Sequence, residues 1–211
     1  MTTLLLASSS KYRKAQLAAL GLDVKTMAPD IDETPAKGES AEKLAMRLAK
    51  TKAQKAGNAN PDYLTLGADQ VAMVTTDEGV TLLGKPGSID KACEQLMLCQ
   101  GHTVSFYTAL CIYHGTTQRC ITQYEITNVY FRALTPAQIS QYVSAERPLD
   151  CAGSFKCEGL GALLFDRIEG RDPNSLIGLP VMLLRDLLTH FDVDLLEQAT
   201  AAYSKKRASL T

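Results

Sequence analysis

The hydrophobic and polar positions along the first third of the chain predict a strand followed by two helices. Residues 4–7 form a short continuous apolar run, which is typical of a strand that is covered on both faces. Three serines follow, and residues 11–20 have the apolar spacing of a helix that Gly21 ends. Ser40 is expected to cap a second helix that runs to about residue 56.

The remaining pattern predicts a strand-rich middle and a return to helices. Two long segments rich in β-branched and aromatic residues, 104–113 and 120–131, are expected to pair as strands. The other expected elements are a strand over 64–69, a hairpin of 71–76 with 80–83, helices over 88–99, 136–145 and 179–191, and a strand over 162–168. We therefore predict an α/β protein with a mixed sheet, in one domain of residues 1–197, followed by a flexible tail of residues 198–211.

Composition narrows the possible functions. The chain has 211 residues, and its 22 basic and 23 acidic side chains give a net charge of −1, so we expect no nucleic-acid partner. No apolar run approaches the roughly 20 residues of a membrane-spanning helix, and the start lacks the basic region of a signal peptide, so we expect a cytoplasmic protein. None of the six cysteines has the C-x-x-C spacing of a zinc or redox site. The three histidines do not pair with a nucleophile in the sequence.

Four polar clusters fall at the ends of predicted elements, which is where α/β proteins bind ligands. The first consists of residues 8–10 and Arg13, and the second is the acidic loop of residues 30–33. The third is Asp69 with Gln70, and the fourth is the segment of residues 84–86. A helix N-terminus with nearby cations suits phosphate groups, and carboxylates suit Mg²⁺ or a general base. Walker A, G-x-G-x-x-G, H-E-x-x-H and G-x-S-x-G motifs are absent from the sequence.

Each cluster also has a purely structural interpretation. Ser10 can serve only as a helix cap, the acidic loop can be a solvated surface, and Lys52 can lie along its helix with its charge in water. Asp69 is harder to explain in this way, because a carboxylate that follows a core strand must be solvated, capped or paired.

Taken in order, these motifs resemble the Maf family of nucleoside triphosphate pyrophosphatases. The resemblance extends over about residues 4–190 and covers 6–10 with Arg13, 32–34, 67–71, 84–86, 152–159, 170–174 and 177–180. It implies a two-lobed fold, like that of inosine triphosphatases, with an elongated mixed sheet and an active-site cleft between the lobes. It also implies a cytoplasmic enzyme, often dimeric, that uses Mg²⁺ or Mn²⁺ to cleave a nucleoside triphosphate between its α- and β-phosphates.

The motifs further resemble the 7-methyl-GTP pyrophosphatase subgroup of that family. By this resemblance Asp69 is the catalytic base, with Glu33 and Asp69 as candidate metal ligands. The positions that select the substrate correspond to Tyr12, Gln70 and Ser154, and the expected phosphate-binding residues are Ser8, Ser10, Arg13, Lys52 and Lys85. The chain departs from the usual Ser-Pro-aromatic-Arg-Arg motif, because it has Lys11 in place of proline and Lys14 in place of arginine. Lysine cannot form the bidentate contact that arginine makes with phosphate.

Two other functions remain open from the sequence. One is a pyrophosphatase of the same fold that acts on dTTP, UTP or inosine triphosphate. The other is a protein without catalytic activity that binds nucleotides and regulates septum formation. The aromatic ring of Tyr12 favours the 7-methyl-GTP assignment over both alternatives, since 7-methylguanine is a cation and aromatic faces attract cations by about 0.5–2 kcal/mol.

Overall fold

The computed structural model describes residues 3–208, in which one mixed sheet is surrounded by helices. Within these residues the strands are β1 (Leu4–Ala7), β2 (Lys25–Thr26), β3 (Leu64–Thr76), β4 (Gly79–Leu83), β5 (Thr103–His114), β6 (Arg119–Phe131) and β7 (Phe165–Gly170). The α-helices are α1 (Lys11–Ala19), α2 (Ala41–Ala59), α3 (Ile89–Cys99), α4 (Pro136–Glu146), α5 (Val181–Thr189) and α6 (Leu195–Ala208).

The sheet has the order β2-β1-β3-β5-β6-β7, and β4 pairs with the distal half of β3. Strand β1 runs parallel to both of its neighbours, whereas the pairs from β3 to β7 are antiparallel. The α/β class and the mixed sheet are therefore confirmed.

The helices cover the two faces of the sheet according to the alternation of side chains along each strand. On one face, Leu66 and Leu110 pack against α1 and α5. On the other face, Ala109 and Cys111 pack against the alanine-rich side of α2. A separate apolar core lies further along the same strands, where Val74 and other residues of β3 to β6 contact α3 and α4. The cores thus divide near the middle of β3, and this is where a cleft opens.

Four of the five predicted helix starts are confirmed by capping hydrogen bonds, whereas the helix predicted from residue 179 begins at Val181 without a side-chain cap. The side chains of Ser10, Ser40, Ser88 and Thr135 each accept a hydrogen bond from the backbone N–H three residues later. Thr135 also forms a full capping box with Gln138, and Pro136 occupies the first turn of α4. These caps bind the backbone N–H groups that every helix leaves unpaired at its start.

Several predicted element boundaries are wrong. Residues 64–76 form the single strand β3, although the sequence predicted a break at Gln70. The strand predicted over 162–168 begins three residues later, because 160–164 form a short 3-10 helix. The two-residue strand β2 was not predicted.

The tail predicted to be flexible from residue 198 is helical as far as residue 208, while 209–211 lie outside the described residues. Helix α6 contacts α1, since Tyr203 donates a hydrogen bond to the backbone oxygen of Ala19 at 2.5 Å. The sequence pattern concealed this helix because the apolar residues of α6 do not gather on one face.

Candidate active site

A cleft of about 660 Å³ opens beside the middle of β3 and contains nearly all the site residues predicted from the sequence. Strand β3, the start of α1, α2 and the loops that follow β2, β4 and α4 form its walls. The predicted residues that line it are Ser8, Ser10, Tyr12, Arg13, Glu33, Lys52, Asp69, Gln70 and Lys85. Ser154 is the predicted site residue that does not line it.

Lys52 joins the two carboxylates predicted for catalysis and metal binding. Its Nζ lies 2.6 Å from Asp69 Oδ1 and 2.6 Å from Glu33 Oε1. Lys52 and Asp69 are buried, with exposed fractions of 8% and 7%, whereas Glu33 is exposed. The interpretation of Lys52 as a solvated helix residue is therefore wrong.

The close packing of α2 on β3 explains how Lys52 reaches Asp69. Gly67 lies against the backbone of α2, and a Cβ there would overlap the carbonyl oxygen of Ala49 and crowd the backbone nitrogen of Ala53. Helix α2 can approach β3 closely only because Gly67 has no side chain and because the residues of α2 that face it are alanines. Lys52 and Asp69, each near this contact point, are thereby brought together.

Burial dominates the electrostatics of Asp69. It raises the pKa of the Asp69 carboxyl above its usual value, and the nearby Lys52 and Arg13 oppose this shift, while Glu33 reinforces it. A carboxylate with a raised pKa accepts a proton more readily than a solvated one. This property suits a general base.

Arg13 connects three parts of the cleft. Its Nε donates to the backbone oxygen of Gly178 at 2.9 Å, and its Nη1 donates to the backbone oxygen of Ala68 at 2.9 Å and to Ser8 Oγ at 3.3 Å. Burial lowers the pKa of the Arg13 guanidinium, and the charges of Asp69 and Glu33 partly offset this effect. The group remains a cation, as arginine does in proteins.

The start of α1 supplies hydroxyl groups and backbone N–H groups beside Arg13. Ser8 Oγ accepts from the backbone N–H of Ser10 at 3.1 Å, and Ser10 Oγ accepts from that of Arg13 at 3.4 Å. Ser10 is thus a helix cap that also faces the cleft. Lys14, which replaces the second arginine of the family motif, is exposed and does not line the cleft.

Tyr12 lies at the cleft wall among acidic and thiol groups. Its hydroxyl lies 3.5 Å from Asp150 Oδ2, and the ammonium of Lys11 lies 5.0 Å from the centre of its ring. Burial raises the pKa of the Tyr12 hydroxyl, as do Cys151 and the carboxylates of Asp150 and Glu158. Tyr12 therefore remains a neutral aromatic residue with negative charge close to it.

Gln70 directs a hydrogen-bond acceptor towards the cleft. Its Nε2 donates to Thr108 Oγ1 and to the backbone oxygen of Ser175, both at 2.9 Å. The Oε1 atom has no hydrogen-bond partner among residues 3–208 and remains available to a ligand.

Ser154 lies behind the wall of the cleft, fully buried. Its hydroxyl donates to Gln95 Oε1 at 2.6 Å, and Gln95 Nε2 in turn donates to the backbone oxygen of Gly84 at 3.2 Å. Any effect of Ser154 on the substrate must therefore pass through the shape of the loop that contains it. The same connection links this loop to the segment that carries Lys85, which is exposed and forms no ion pair within the described residues.

The acidic loop contributes one carboxylate to the cleft. Asp30 and Asp32 do not line it, and hydrogen bonds from Thr34 lower the pKa of Asp32. Residues 3–208 contain no group of three or more histidine, cysteine, aspartate or glutamate side chains that could hold a metal by themselves. Glu33 and Asp69, whose Oε1 and Oδ1 contact Lys52, are the carboxylates of the cleft that were predicted to bind a metal. This limited donor set fits Mg²⁺, which commonly keeps several waters and binds substrate phosphates.

Sequence reasoning missed the residues that hold the predicted ones in place. Thr108, Ser175 and Gln95 contact predicted site residues directly. Thr108 is one of several β-branched residues in a strand, and Ser175 and Gln95 occur in ordinary loop and helix patterns. The sequence contains no local signal that distinguishes them.

No α-helix in the part of the chain that the structure describes is long and apolar enough to cross a membrane.

Comparison with known proteins places this cleft in a family context. The family model described as Maf-like protein matches residues 3–191. A protein of Aliivibrio fischeri named 7-methyl-GTP pyrophosphatase is 48% identical over 185 residues, covering 88% of this chain and 94% of that protein. A protein of Alcanivorax borkumensis with the same name is 48% identical over 193 residues, covering 92% and 96%.

Among solved structures, a HAM1 protein from Coxiella burnetii matches 90% of this chain and 100% of its own. Its sequence identity is 16% and its TM-score 0.45, so the likeness is remote and carries no weight in assigning the fold.

Proposed function

This chain belongs to the Maf family, and from that premise we propose that it hydrolyses 7-methyl-GTP to 7-methyl-GMP and diphosphate. The broader activity, that of a nucleoside triphosphate pyrophosphatase, follows from the family and from the names of its relatives. The observation that carries the proposal is the buried carboxylate of Asp69, held by Lys52 in a cleft that also contains serine hydroxyls, an arginine, a second lysine and the Gln70 amide.

Asp69 acts as the general base in this proposal. A water molecule attacks the α-phosphorus, its proton passes to Asp69, and the bond from the α-phosphorus to the bridging oxygen breaks to release diphosphate. Oδ1 of Asp69 accepts a hydrogen bond from Lys52, so Oδ2 is the atom available to the water proton. Lys52 holds the carboxylate in one orientation, as a general base requires.

Cationic and hydroxyl groups would bind the triphosphate. Ser8, Ser10 and the start of α1 offer hydroxyl and backbone N–H groups, which favour anions at a helix N-terminus. Arg13, Lys52 and Lys85 supply positive charge to the same cleft. Their contribution is electrostatic and positional, as in other phosphoryl-transfer enzymes.

A divalent metal ion fits the same residues. Glu33 would hold Mg²⁺ or Mn²⁺ through its oxygens, with substrate phosphates and water as the other ligands. Asp69 would add a ligand only through Oδ2, which then could not take the water proton, so its roles as base and as metal ligand are alternatives. When bound, the metal would neutralise phosphate charge and increase the electrophilicity of the phosphorus. The role of Asp69 as general base rests on its burial and on its hydrogen bond with Lys52.

The end of the cleft at Tyr12 and Gln70, where the nucleobase would bind, favours a cationic purine. Tyr12 offers an aromatic face, and Glu158 places negative charge near it, as does Asp150, whose Oδ2 is paired with Lys11 Nζ at 3.1 Å. Gln70 Oε1 can accept a hydrogen bond from the N1–H or the amino group of guanine. Lys11 Nζ lies near the Tyr12 ring, but its side chain is 72% exposed and can move away when a cationic base stacks.

A substrate panel tests the proposal. The purified chain should release diphosphate faster from 7-methyl-GTP than from GTP, UTP, dTTP or inosine triphosphate at equal concentrations. Faster release from dTTP, UTP or inosine triphosphate would assign the cleft to another nucleotide. Saturable nucleotide binding without release from any of them, with Mg²⁺ or Mn²⁺ present, would instead favour a regulatory protein without catalytic activity.

The cellular context belongs to the same proposal. We assign the protein to the cytoplasm, which agrees with the six cysteines all being free thiols in the structure. We also propose a homodimer, which the mass measured by light scattering in solution would test.

A further inference from the structure

Thr108 and Gln70 lie directly opposite each other in the antiparallel pair of β5 and β3. Thr108 is fully buried, and its Oγ1 accepts a hydrogen bond from Gln70 Nε2 at 2.9 Å. The second N–H of the same amide donates to the backbone oxygen of Ser175 at 2.9 Å. An amide nitrogen has two donors, so both are used within the protein.

These contacts fix which end of the Gln70 amide faces the cleft. The backbone oxygen of Ser175 can only accept a hydrogen bond, so the atom facing it must be Nε2 and not Oε1. Thr108 directs its own hydroxyl hydrogen to the same backbone oxygen at 3.3 Å, which leaves its lone pairs for Gln70. Rotating the amide by half a turn would place Oε1 against the Ser175 backbone oxygen, which can only accept, and against a Thr108 hydroxyl that already donates to that oxygen.

The Ser175 backbone oxygen is itself held in place. Ser175 is fully buried, and its hydroxyl donates to Glu125 Oε2 on β6 at 3.1 Å. Asp172 in the same loop accepts from the backbone N–H of Asn174 at 2.8 Å and from that of Met182, at the start of α5, at 2.6 Å. The loop is thereby tied to the sheet and to α5.

We propose that Thr108 is a positioning residue that determines base selection by locking the Gln70 amide with its oxygen towards the cleft. This inference deepens the proposed function and rests on it for the identity of the base. The locked amide favours a base that offers an N–H at that edge, as guanine does with N1–H and its amino group. The positive charge of 7-methylguanine strengthens these donors. Cytosine has an acceptor, N3, where guanine has the N1–H, so it offers the fixed Oε1 only its amino group and is disfavoured relative to guanine.

Removing the hydroxyl of Thr108 should relax this selection. In Thr108→Val one N–H of Gln70 loses its partner and becomes available to a base acceptor. We expect the ratio of kcat/KM for 7-methyl-GTP to that for CTP to fall roughly tenfold, as the loss of one buried hydrogen bond implies. Thr108→Ser keeps the hydroxyl and should retain the wild-type ratio. Equal losses for both nucleotides in Thr108→Val would mean that Thr108 only supports the fold and would overturn the inference.

A second measurement examines the lock without any substrate. In NMR spectra of the nucleotide-free protein, the side-chain amide protons of Gln70 should exchange with water slowly in the wild type and in Thr108→Ser. They should exchange faster in Thr108→Val. Equal exchange in all three proteins would show that Thr108 does not hold the amide. A lock seen by NMR in a wild-type protein that prefers another nucleotide would contradict the proposed function but support Thr108 as the residue that orients Gln70.

Discussion

Lys52 of α2 and Asp69 of β3 are joined by a hydrogen bond of 2.6 Å between Nζ and Oδ1, with both side chains buried. A buried carboxylate without a partner would be strongly destabilised in its charged form. Lys52 therefore allows Asp69 to remain ionised inside the cleft, while burial still raises its pKa. The fold thus holds a proton acceptor at one defined position.

Replacing Asp69, the proposed general base, should abolish turnover without disturbing the fold. Asp69→Asn keeps the size of the side chain but cannot take a proton, so kcat for 7-methyl-GTP should fall by about 10²–10⁴-fold. Nucleotide binding, measured by calorimetry, should be largely retained. Asp77→Asn, in the exposed turn between β3 and β4, is the matched control. Near-normal kcat in Asp69→Asn would remove Asp69 from the reaction.

Removing Lys52 should shift the pH dependence of the enzyme. Lys52 lowers the pKa of Asp69, so Lys52→Met should raise that pKa. Activity requires the deprotonated base, and it is lost as pH falls through the pKa of Asp69. The acid limb of the plot of kcat/KM against pH should therefore move to higher pH in Lys52→Met.

Lys43→Met provides the control for that shift, because Lys43 lies exposed on the same helix outside the cleft. An acid limb at the same pH in Lys52→Met and in the wild type would show that this limb does not report on Asp69.

Tyr12 should affect base preference more than the rate of the chemical step. In Tyr12→Ala, the loss of stacking and cation–π attraction should raise KM for 7-methyl-GTP and lower kcat/KM by roughly 5–150-fold, while GTP is little affected. Tyr12→Arg should lower kcat/KM for 7-methyl-GTP further, since arginine repels the cationic base. The same substitution should improve the use of UTP and dTTP, whose bases are neutral.

The control for this prediction is Tyr12→Phe, which retains the ring and loses the contact with Asp150. Steady-state kinetics with 7-methyl-GTP, GTP, UTP and dTTP compares the variants. Unchanged ratios between the nucleotides in Tyr12→Ala would show that this ring does not contact the base.

Metal removal should abolish activity reversibly. Glu33 and Asp69 offer carboxylate oxygens, so hard ions that prefer oxygen are expected. Excess EDTA should stop diphosphate release, and adding Mg²⁺ or Mn²⁺ beyond the chelator should restore it. Full activity in EDTA, with the metal content of the protein checked, would contradict this prediction.

Gly67 should be essential to the packing that brings Lys52 to Asp69. A Cβ in Gly67→Ala would overlap the Ala49 carbonyl oxygen, so α2 must move away from β3. Overpacking of this kind costs about 1–3 kcal/mol, which chemical denaturation would measure as a lower free energy of unfolding. Gly84→Ala adds a methyl group where nothing lies within 4 Å and should leave the free energy of unfolding unchanged. Equal stability of the two variants would show that α2 tolerates the displacement.

The sequence was sufficient for features that depend on local patterns. The apolar run of β1 and the capping residues Ser10, Ser40 and Thr135 specify their elements through neighbouring residues alone. The polar clusters at element ends also contain most of the predicted site residues that line the cleft.

Features that depend on distant partners could not be predicted in the same way. Asp69 and Gln70 interrupt an apolar pattern, which suggested a break in β3. The strand continues because Lys52 satisfies Asp69 and because Thr108 and Ser175 satisfy Gln70. The burial of Ser154 likewise depends on Gln95, which lies 59 positions away in the sequence.

The most direct test of the account is hydrolysis of 7-methyl-GTP in water labelled with ¹⁸O, with the products separated and weighed by mass spectrometry. Attack on the α-phosphorus should give 7-methyl-GMP carrying one ¹⁸O atom and unlabelled diphosphate. Release of 7-methyl-GDP and inorganic phosphate, or ¹⁸O in the diphosphate, would contradict the reaction assigned to this cleft.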